Sequence, residues 1–162
     1  MKILSRSMAL CFGCLAVSTV ALAQTYPARP IRLVVSFAAG GGVDLVARLV
    51  GQKLSEAWNQ QVVIDNRPGA NGILAAELTA KSTPDGHTLL FVAIGHAINP
   101  LLQKKLPYNT EHDFTPVSLA AVLPLIVTVH PSVPATSVNE LIALAKKQKL
   151  NYASGGVGSS QH

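Results

Sequence analysis

Residues 31–64 read IRLVVSFAAGGGVDLVARLVGQKLSEAWNQQVVI, and the hydrophobic pattern of this stretch decides the fold. The apolar run 31–37 predicts a buried strand, since strands buried on both faces are almost continuously hydrophobic. Helical spacing follows in the apolar residues Val43, Val46, Ala47, Val50, Leu54 and Trp58. A second short strand is predicted over 61–64. A strand, a helix and a strand at this spacing predict a βαβ unit with parallel strands.

The same alternation continues downstream. A turn at 66–69 precedes a predicted helix over 70–81, which is rich in Ala and Leu. Another turn at 84–86 precedes a predicted strand over 88–94. The segment 95–113 contains Pro100 and Pro107 and is predicted to be irregular. The expected class is therefore α/β.

The last third of the chain gives a mixed pattern. Residues 117–129 are apolar but contain Pro124, and a central strand resists proline, so we expect two short strands or one kinked crossing strand. Ser137, with Glu140 three residues on, forms a capping box that opens a helix ending near residue 148. A strand over 150–153 and a glycine- and serine-rich loop over 154–160 complete the prediction.

The N-terminus has the three parts of a secretory signal peptide. Lys2 and Arg6 precede an apolar stretch over 8–22, which ends in the small-x-small sequence Ala21-Leu22-Ala23. We expect cleavage near Ala23-Gln24 and a periplasmic product. The apolar stretch is shorter than the roughly 20 residues that a membrane span needs, although an uncleaved anchor helix stays open as an alternative.

Cysteine content and charge exclude several classes of site. Cys11 and Cys14 both lie in the predicted signal peptide, so the remaining 139 residues contain none. A disulfide framework, a thiolate metal site and a cysteine nucleophile are therefore excluded from that product. Removal of Lys2 and Arg6 leaves 11 basic and 8 acidic side chains, a net charge of +3. The scattered basic residues do not predict a nucleic-acid surface.

The loop 37–44, FAAGGGVD, is the first candidate site, because ligands of open α/β sheets bind where strands end and helices begin. The free N–H groups of a helix start attract anions. A tight turn without ligand carries equal weight. Neither a P-loop nor a dinucleotide fingerprint matches. Asp44 either caps its own helix or pairs with a ligand amine or hydroxyl. The candidate ligand-binding residues are Phe37, Ala39, Gly40, Gly41, Gly42 and Asp44.

The segment 154–162, SGGVGSSQH, has the same predicted order of strand, glycine-rich loop and helix start, and it is the second candidate site. Two such loops facing each other would hold a carboxylate between two helix starts without any arginine. The segment lacks the G-x-S-x-G of a nucleophile elbow. The histidines show no metal-ligand spacing, and His96, after the third predicted strand, is the best histidine candidate. The further candidate ligand-binding residues are His96, Gly158, Ser159, Ser160 and His162. We expect no catalytic residue, no cofactor and no metal.

Ordered motifs along the whole chain after the signal peptide resemble the Bug-type (TctC-like) substrate-binding proteins of tripartite tricarboxylate transporters. They are YPARPIRLVV from Tyr26, FAAGGGVDLVARLV from Phe37, VVIDNRPGANGILAAE from Val62, PDGHTLLF from Pro84, HAINP from His96, LPYNTEHDFTPVSL from Leu106 and YASGGVGSSQH from Tyr152. The chain departs from the family pattern at Ser36 and Ala39, where proline is common, and at Gly95, where threonine is more usual.

The resemblance implies the two-lobed fold of type II periplasmic binding proteins, here truncated part-way through the second lobe. It divides the chain into the signal peptide (1–23), the first lobe (24–115), and a crossing segment with the start of the second lobe (116–162). It further implies that loop 37–44 lies on one lobe and segment 154–162 on the other, and that both grip a ligand carboxyl group.

The implied function is that of a receptor for a di- or tricarboxylate, an acidic amino acid or an aromatic acid, which delivers its ligand to the transporter's membrane subunits. We expect a monomer that is not an enzyme. Family members look about twice as long as this chain, so we expect a fragment that binds poorly or not at all alone. Presentation of a ligand to a signalling sensor stays open, as does, with less support, an exported α/β hydrolase.

Overall fold

The computed structural model of the chain describes residues 25–154, 156–160 and 162, so the predicted signal peptide lies outside the described residues. The described part contains one parallel sheet with helices between its strands. In chain order the elements are β1 (Ile31–Val35), α1 (Gly42–Trp58), β2 (Val62–Asn66), a 3-10 turn (Ala70–Gly72), α2 (Ile73–Ala80), β3 (Thr88–Phe91), α3 (Gly95–Leu102) and α4 (Val138–Lys147).

Strand β1 is the centre of the sheet, whose order is β2-β1-β3. Both neighbours pair with β1 in parallel, and Leu33 lies opposite Ile64 on one side and Leu89 on the other. Parallel strands need crossover connections, which helices supply in α/β proteins. The predicted α/β class and the predicted βαβ unit are therefore confirmed.

Helix α1 covers one face of the sheet. Leu33, Val35 and Ala47 form the buried centre of this layer. Gly51 lets the helix approach β2 closely, because a Cβ at this position would lie 3.0 Å from Cδ1 of Ile64. The helix ends before Asn59, which takes the left-handed conformation (φ 49°) that commonly terminates helices. The predicted apolar stripe thus builds the core.

Helix α2 packs on β1 and β3. Neighbouring side chains of a strand point to opposite faces, so Val34 and Leu33 lie on different faces of the sheet. Val34 is fully buried, and the face away from Leu33 is therefore also covered. Ala75 and Ala76 of α2 have no exposed surface. The first crossover leads from β1 to β2 on one side, and the second leads from β2 past β1 to β3 on the other side. Because both crossovers are expected to be right-handed, these opposite directions place α1 and α2 on opposite faces of the sheet.

Several predicted boundaries were wrong, and β1 ends at Val35 instead of residue 37 while β2 extends to Asn66 instead of residue 64. The helix predicted over 70–81 begins only at Ile73, because Ala70 and Asn71 have positive φ values of 46° and 50° and form a separate turn. The third strand ends at Phe91 instead of residue 94. The segment predicted to be irregular contains α3, which includes Pro100 although a proline within a helix removes one backbone hydrogen bond.

The strands predicted within 117–129 and over 150–153 were also wrong. Both segments lack regular structure in the described part of the chain, and the first exposes most of its apolar side chains, including Val117 at 85% and Ile126 at 80%. A strand needs a hydrogen-bonded neighbour, and none of the three described strands pairs with either segment.

Helix α4 confirms the predicted capping box in part. Ser137 Oγ accepts a hydrogen bond from the N–H of Glu140 at 3.3 Å. The Glu140 carboxylate reaches back one residue further than in the usual box and accepts from the N–H of Thr136 at 2.7 Å. No side chain of α4 is buried.

Among the described residues, no helix combines the length and the apolar character needed to span a membrane.

Candidate functional site

The loops that follow β1, β2 and β3 meet at one edge of the sheet, since parallel strands end on the same side. The loop after β1 contacts the turn after β2, because a Cβ on Gly72 would lie 3.1 Å from Cβ of Ser36. Asn66, the last residue of β2, donates through Nδ2 to the carbonyl oxygen of Phe37 at 3.0 Å. The loop after β1 is therefore held in place by Asn66 and by the turn after β2.

Asp44 lies inside this loop and is satisfied by the protein itself. Its Oδ2 accepts from the N–H of Gly40 at 2.8 Å and from Nε of Arg48 at 2.9 Å. Its Oδ1 accepts from Nδ2 of Asn66 at 2.9 Å. These donors, Arg48 first, lower the pKa of Asp44 to about 2. The carboxylate of Asp44 thus holds the loop together through hydrogen bonds within the protein. This role is close to helix capping, one of the two roles that the sequence suggested for Asp44.

The start of α1 remains accessible. Gly41 is the N-cap residue, and no side chain caps the helix. Ala39, Gly40, Gly41 and Gly42 are all exposed. Gly40 has φ 85°, a conformation that favours glycine. The first N–H groups of a helix, here those of Gly42 and Val43, have no intrahelical acceptor.

A pair of asparagines, which sequence reasoning missed, links the turn after β2 to α3. Asn71 Nδ2 donates to Asn99 Oδ1 at 2.9 Å, and Asn99 Nδ2 donates to the carbonyl oxygen of Asn71 at 3.1 Å. Asn99 is 2% exposed. The available signal was the Asn71-Gly72 dipeptide, a typical left-handed turn, which the helix prediction over 70–81 absorbed.

The second candidate segment touches the same place. A Cβ on Gly158 would lie 2.5 Å from Nδ2 of Asn71. The hydroxyl of Ser159 donates to the carbonyl oxygen of Gly156 at 2.7 Å, within the same segment. Ser160 and His162 are exposed. Among the described residues, no hydrogen bond joins this segment directly to the loop 37–44, and its close approach is to the asparagine turn.

His96 belongs to an aromatic cluster near the site. Its ring stacks on Tyr108 at a centroid distance of 5.7 Å and meets the edge of Phe114 at 4.9 Å. Burial lowers the pKa of His96 below its ordinary value, which favours the neutral ring. This packing favours a structural role for the ring, while the helix start that carries it lies against Asn71 through Gly95.

The site offers little for covalent catalysis. Ser154 Oγ lies 3.0 Å from Nδ1 of His162, but both residues are exposed, and no carboxylate hydrogen-bonds to this histidine in the described residues. Such a pair lacks the third group that orients the base in a hydrolase. The described residues also contain no group of three side chains suited to a metal ion. The arrangement instead presents backbone donors, which suit an anion.

Comparison with known proteins identifies the family. The sequence profile described as "Tripartite tricarboxylate transporter family receptor" matches residues 46–162. A UPF0065 protein of Bordetella bronchiseptica is 42% identical over 158 residues, which cover 96% of this chain and 47% of that protein. The chain therefore spans about half the length of this curated relative.

Solved structures agree in fold. An R. palustris protein in complex with adipate superposes with a TM-score of 0.73 at 42% identity, over 76% of this chain and 42% of that one. MatC from Rhodopseudomonas palustris with bound malate gives a TM-score of 0.69 at 36% identity, over 75% and 42%. The periplasmic-binding-protein fold class and the description as a receptor, not an enzyme, are thus confirmed at the level of the family. This chain belongs to the tripartite tricarboxylate transporter receptor family.

Proposed function

We propose that this chain belongs to an extracytoplasmic receptor that binds a small carboxylate at the loop 37–44 and delivers it to a tripartite tricarboxylate transporter. One observation carries the proposal. Helix α1 starts at exposed glycines without a side-chain cap, while the nearby carboxylate of Asp44 is paired with Arg48 and accepts hydrogen bonds from Gly40 and Asn66. An incoming carboxylate therefore meets N–H donors and a helix dipole instead of a free negative charge.

The relatives support a carboxylate ligand, since one structure contains adipate and another malate. Both are dicarboxylates, and backbone donors at loop 37–44 would hold one of their two carboxyl groups. The identity of the rest of the ligand depends on groups that touch its far end.

We propose the segments 24–115 and 116–162 as the first lobe and the start of the second, and residues 1–23 as a signal peptide cleaved near Ala23-Gln24.

Gly42 allows a sharp test of the backbone donors. It is the first residue of α1, and the preceding Gly41 is extended (φ −80°, ψ 167°), so proline fits at Gly42. The substitution Gly42→Pro removes one N–H and keeps the helix start. Gly42→Ala is the matched control, because it keeps the N–H and its Cβ would meet only Cδ1 of Leu123 at an ordinary 3.6 Å.

The experiment is an NMR titration of the ¹⁵N-labelled chain with adipate and malate. We expect roughly millimolar binding, with amide shifts that begin at residues 40–44, and no shifts with uncharged 1,6-hexanediol. Gly42→Pro should weaken binding at least about tenfold, the value of a hydrogen bond to a charged group. Gly42→Ala should bind within about twofold of the wild type. Equal binding by Gly42→Pro, or carboxylate shifts confined to other loops, would contradict the proposed site.

Delivery to a transporter needs a separate test. We expect the gene for the receptor to lie beside genes for two membrane subunits. A neighbouring sensor kinase without such subunits would instead indicate ligand presentation for signalling.

A further inference from the structure

The carboxamide of Asn71 is enclosed by two glycines from distant parts of the chain. On one side, a Cβ at Gly95 would lie 2.6 Å from Oδ1 and 2.7 Å from Nδ2 of Asn71. On the other side, a Cβ at Gly158 would lie 2.5 Å from Nδ2. Such distances are far below van der Waals contact, so both positions must lack a side chain for the carboxamide to fit.

The backbone and the buried partner of Asn71 fix this carboxamide in place. Asn71 has φ 50°, a left-handed conformation that asparagine tolerates better than most residues. Its two hydrogen bonds with Asn99 anchor it to a side chain that is 98% buried. The side chain therefore stands as a rigid spacer and not as a mobile surface group.

We propose that Asn71 is a positioning residue that sets how closely the segment 154–162 approaches the loops at the carboxyl edge of the sheet. The consequence for ligand binding rests on the proposed function: with a carboxylate at loop 37–44, Asn71 fixes where the second set of donors stands. Asn71 acts through Gly158 and does not need to touch the ligand.

The contact itself can be observed without any ligand. In NMR spectra of the wild-type chain, we expect a nuclear Overhauser effect between the side-chain NH₂ of Asn71 and the α protons of Gly158. We also expect Asn71→Gly, which keeps the left-handed turn and removes the carboxamide, to shift the amide signals of residues 156–160. Ala70→Gly is the matched control, since Ala70 also has positive φ (46°) but carries no carboxamide; it should leave these signals in place.

A double-mutant cycle tests whether the contact is direct. Gly156 and Gly158 both have positive φ, 93° and 85°, but a Cβ at Gly156 meets nothing within 4 Å. Gly158→Ala should therefore displace the segment much more than Gly156→Ala, which shares the backbone strain. Leu102 also lies near Gly158, but its terminal methyl group can turn aside. In the Asn71→Gly background, Gly158→Ala should add little beyond the backbone strain that Gly156→Ala reports.

The outcomes separate this inference from the proposed function. Absence of the nuclear Overhauser effect, or equal effects of Gly158→Ala with and without Asn71, would overturn the positioning role even if adipate binds at Gly42. Conversely, a positive cycle with no carboxylate shifts would leave the role of Asn71 intact and contradict the ligand. With both in place, Asn71→Gly should reduce adipate-induced shifts at Ser159 while retaining those at Gly42.

Discussion

At the scale of single residues, Asp44 shows how the structure resolves a conflict in the sequence. A carboxylate beside a proposed anion site is unfavourable in isolation. Here Gly40, Arg48 and Asn66 all donate to it. The acid therefore shapes the loop while its charge is compensated.

Asp44 predicts a defined pH dependence of stability. Its pKa is lowered from 3.8 to about 2, so the ionised form stabilises the folded state fully above pH 4. This stabilisation is lost as the pH falls from about 4 to about 2. Asp44→Asn should lower the thermal unfolding midpoint at pH 7, and the difference from wild type should shrink near pH 2, as measured by circular dichroism.

The control for this experiment is Glu56→Gln, because Glu56 makes only exposed contacts, an ion pair with Lys53 and a hydrogen bond from Nε2 of Gln52. Such pairs contribute about 0–1 kcal/mol, so its midpoint should stay near the wild-type value at pH 7. A constant difference between Asp44→Asn and wild type from pH 7 to pH 2 would contradict the assignment of the charge to this network.

At the scale of elements, α4 is a helix whose stability comes from its own residues. It buries no side chain in the described structure, and its visible support is the Ser137 cap together with Glu140. Isolated helices of this length are marginal in water.

Removal of the cap should therefore destabilise α4 locally. We expect Ser137→Ala to cost about 1 kcal/mol of helix stability and to accelerate amide hydrogen exchange at residues 141–147 about fivefold. The midpoint of global unfolding should stay unchanged, because α4 does not pack on the sheet. Ser137→Asp, another good N-cap, should restore the slow exchange. A lowered global midpoint for Ser137→Ala would show that α4 belongs to the cooperative core.

The comparison of predicted and observed elements separates local from non-local causes. The class of the fold, α1 and the α4 cap followed from periodicity and from capping residues, which act within a few neighbours. The 117–129 strands failed because apolar, β-branched composition specifies a strand only when a partner strand is present. The Asn71–Asn99 pair could not be predicted, because it joins residues that only the fold brings together.

The features of the candidate site also divide into those with local causes and those with non-local causes. The glycine loop and its helix start were visible in the sequence, since both follow from local composition. The hydrogen bond from Asn66 to Asp44 depends on the β1–β2 register and was not visible in the sequence. The placement of Gly158 against Asn71 likewise depends on contacts 87 residues apart.

At the scale of the whole molecule, stability is uneven. The buried apolar residues belong largely to β1, α1 and α2, whereas residues 117–129 and α4 are largely exposed. Segments with few buried contacts open most easily.

Limited proteolysis should reveal this division. Thermolysin cuts before apolar residues, so we expect the first cleavage within 117–129, where Leu119 is 80% exposed. The product that contains β1, β2 and β3 should retain the circular dichroism of the sheet and of α1, α2 and α3. Leu119→Ala should leave the unfolding midpoint unchanged, whereas Leu33→Ala, in the core, should cost about 2–5 kcal/mol. First cleavage within the sheet would contradict this division.

The prolines near the exposed run have a consequence for self-association. Residues 125–129 read LIVTV, a sequence without charge and with high β propensity, which is typical of segments that stack into cross-β assemblies. Pro124 and Pro131 bracket it and limit the uninterrupted run to six residues, the lower end of the length that such assemblies use. Pro124 therefore keeps this exposed apolar segment short, as gatekeeper residues do.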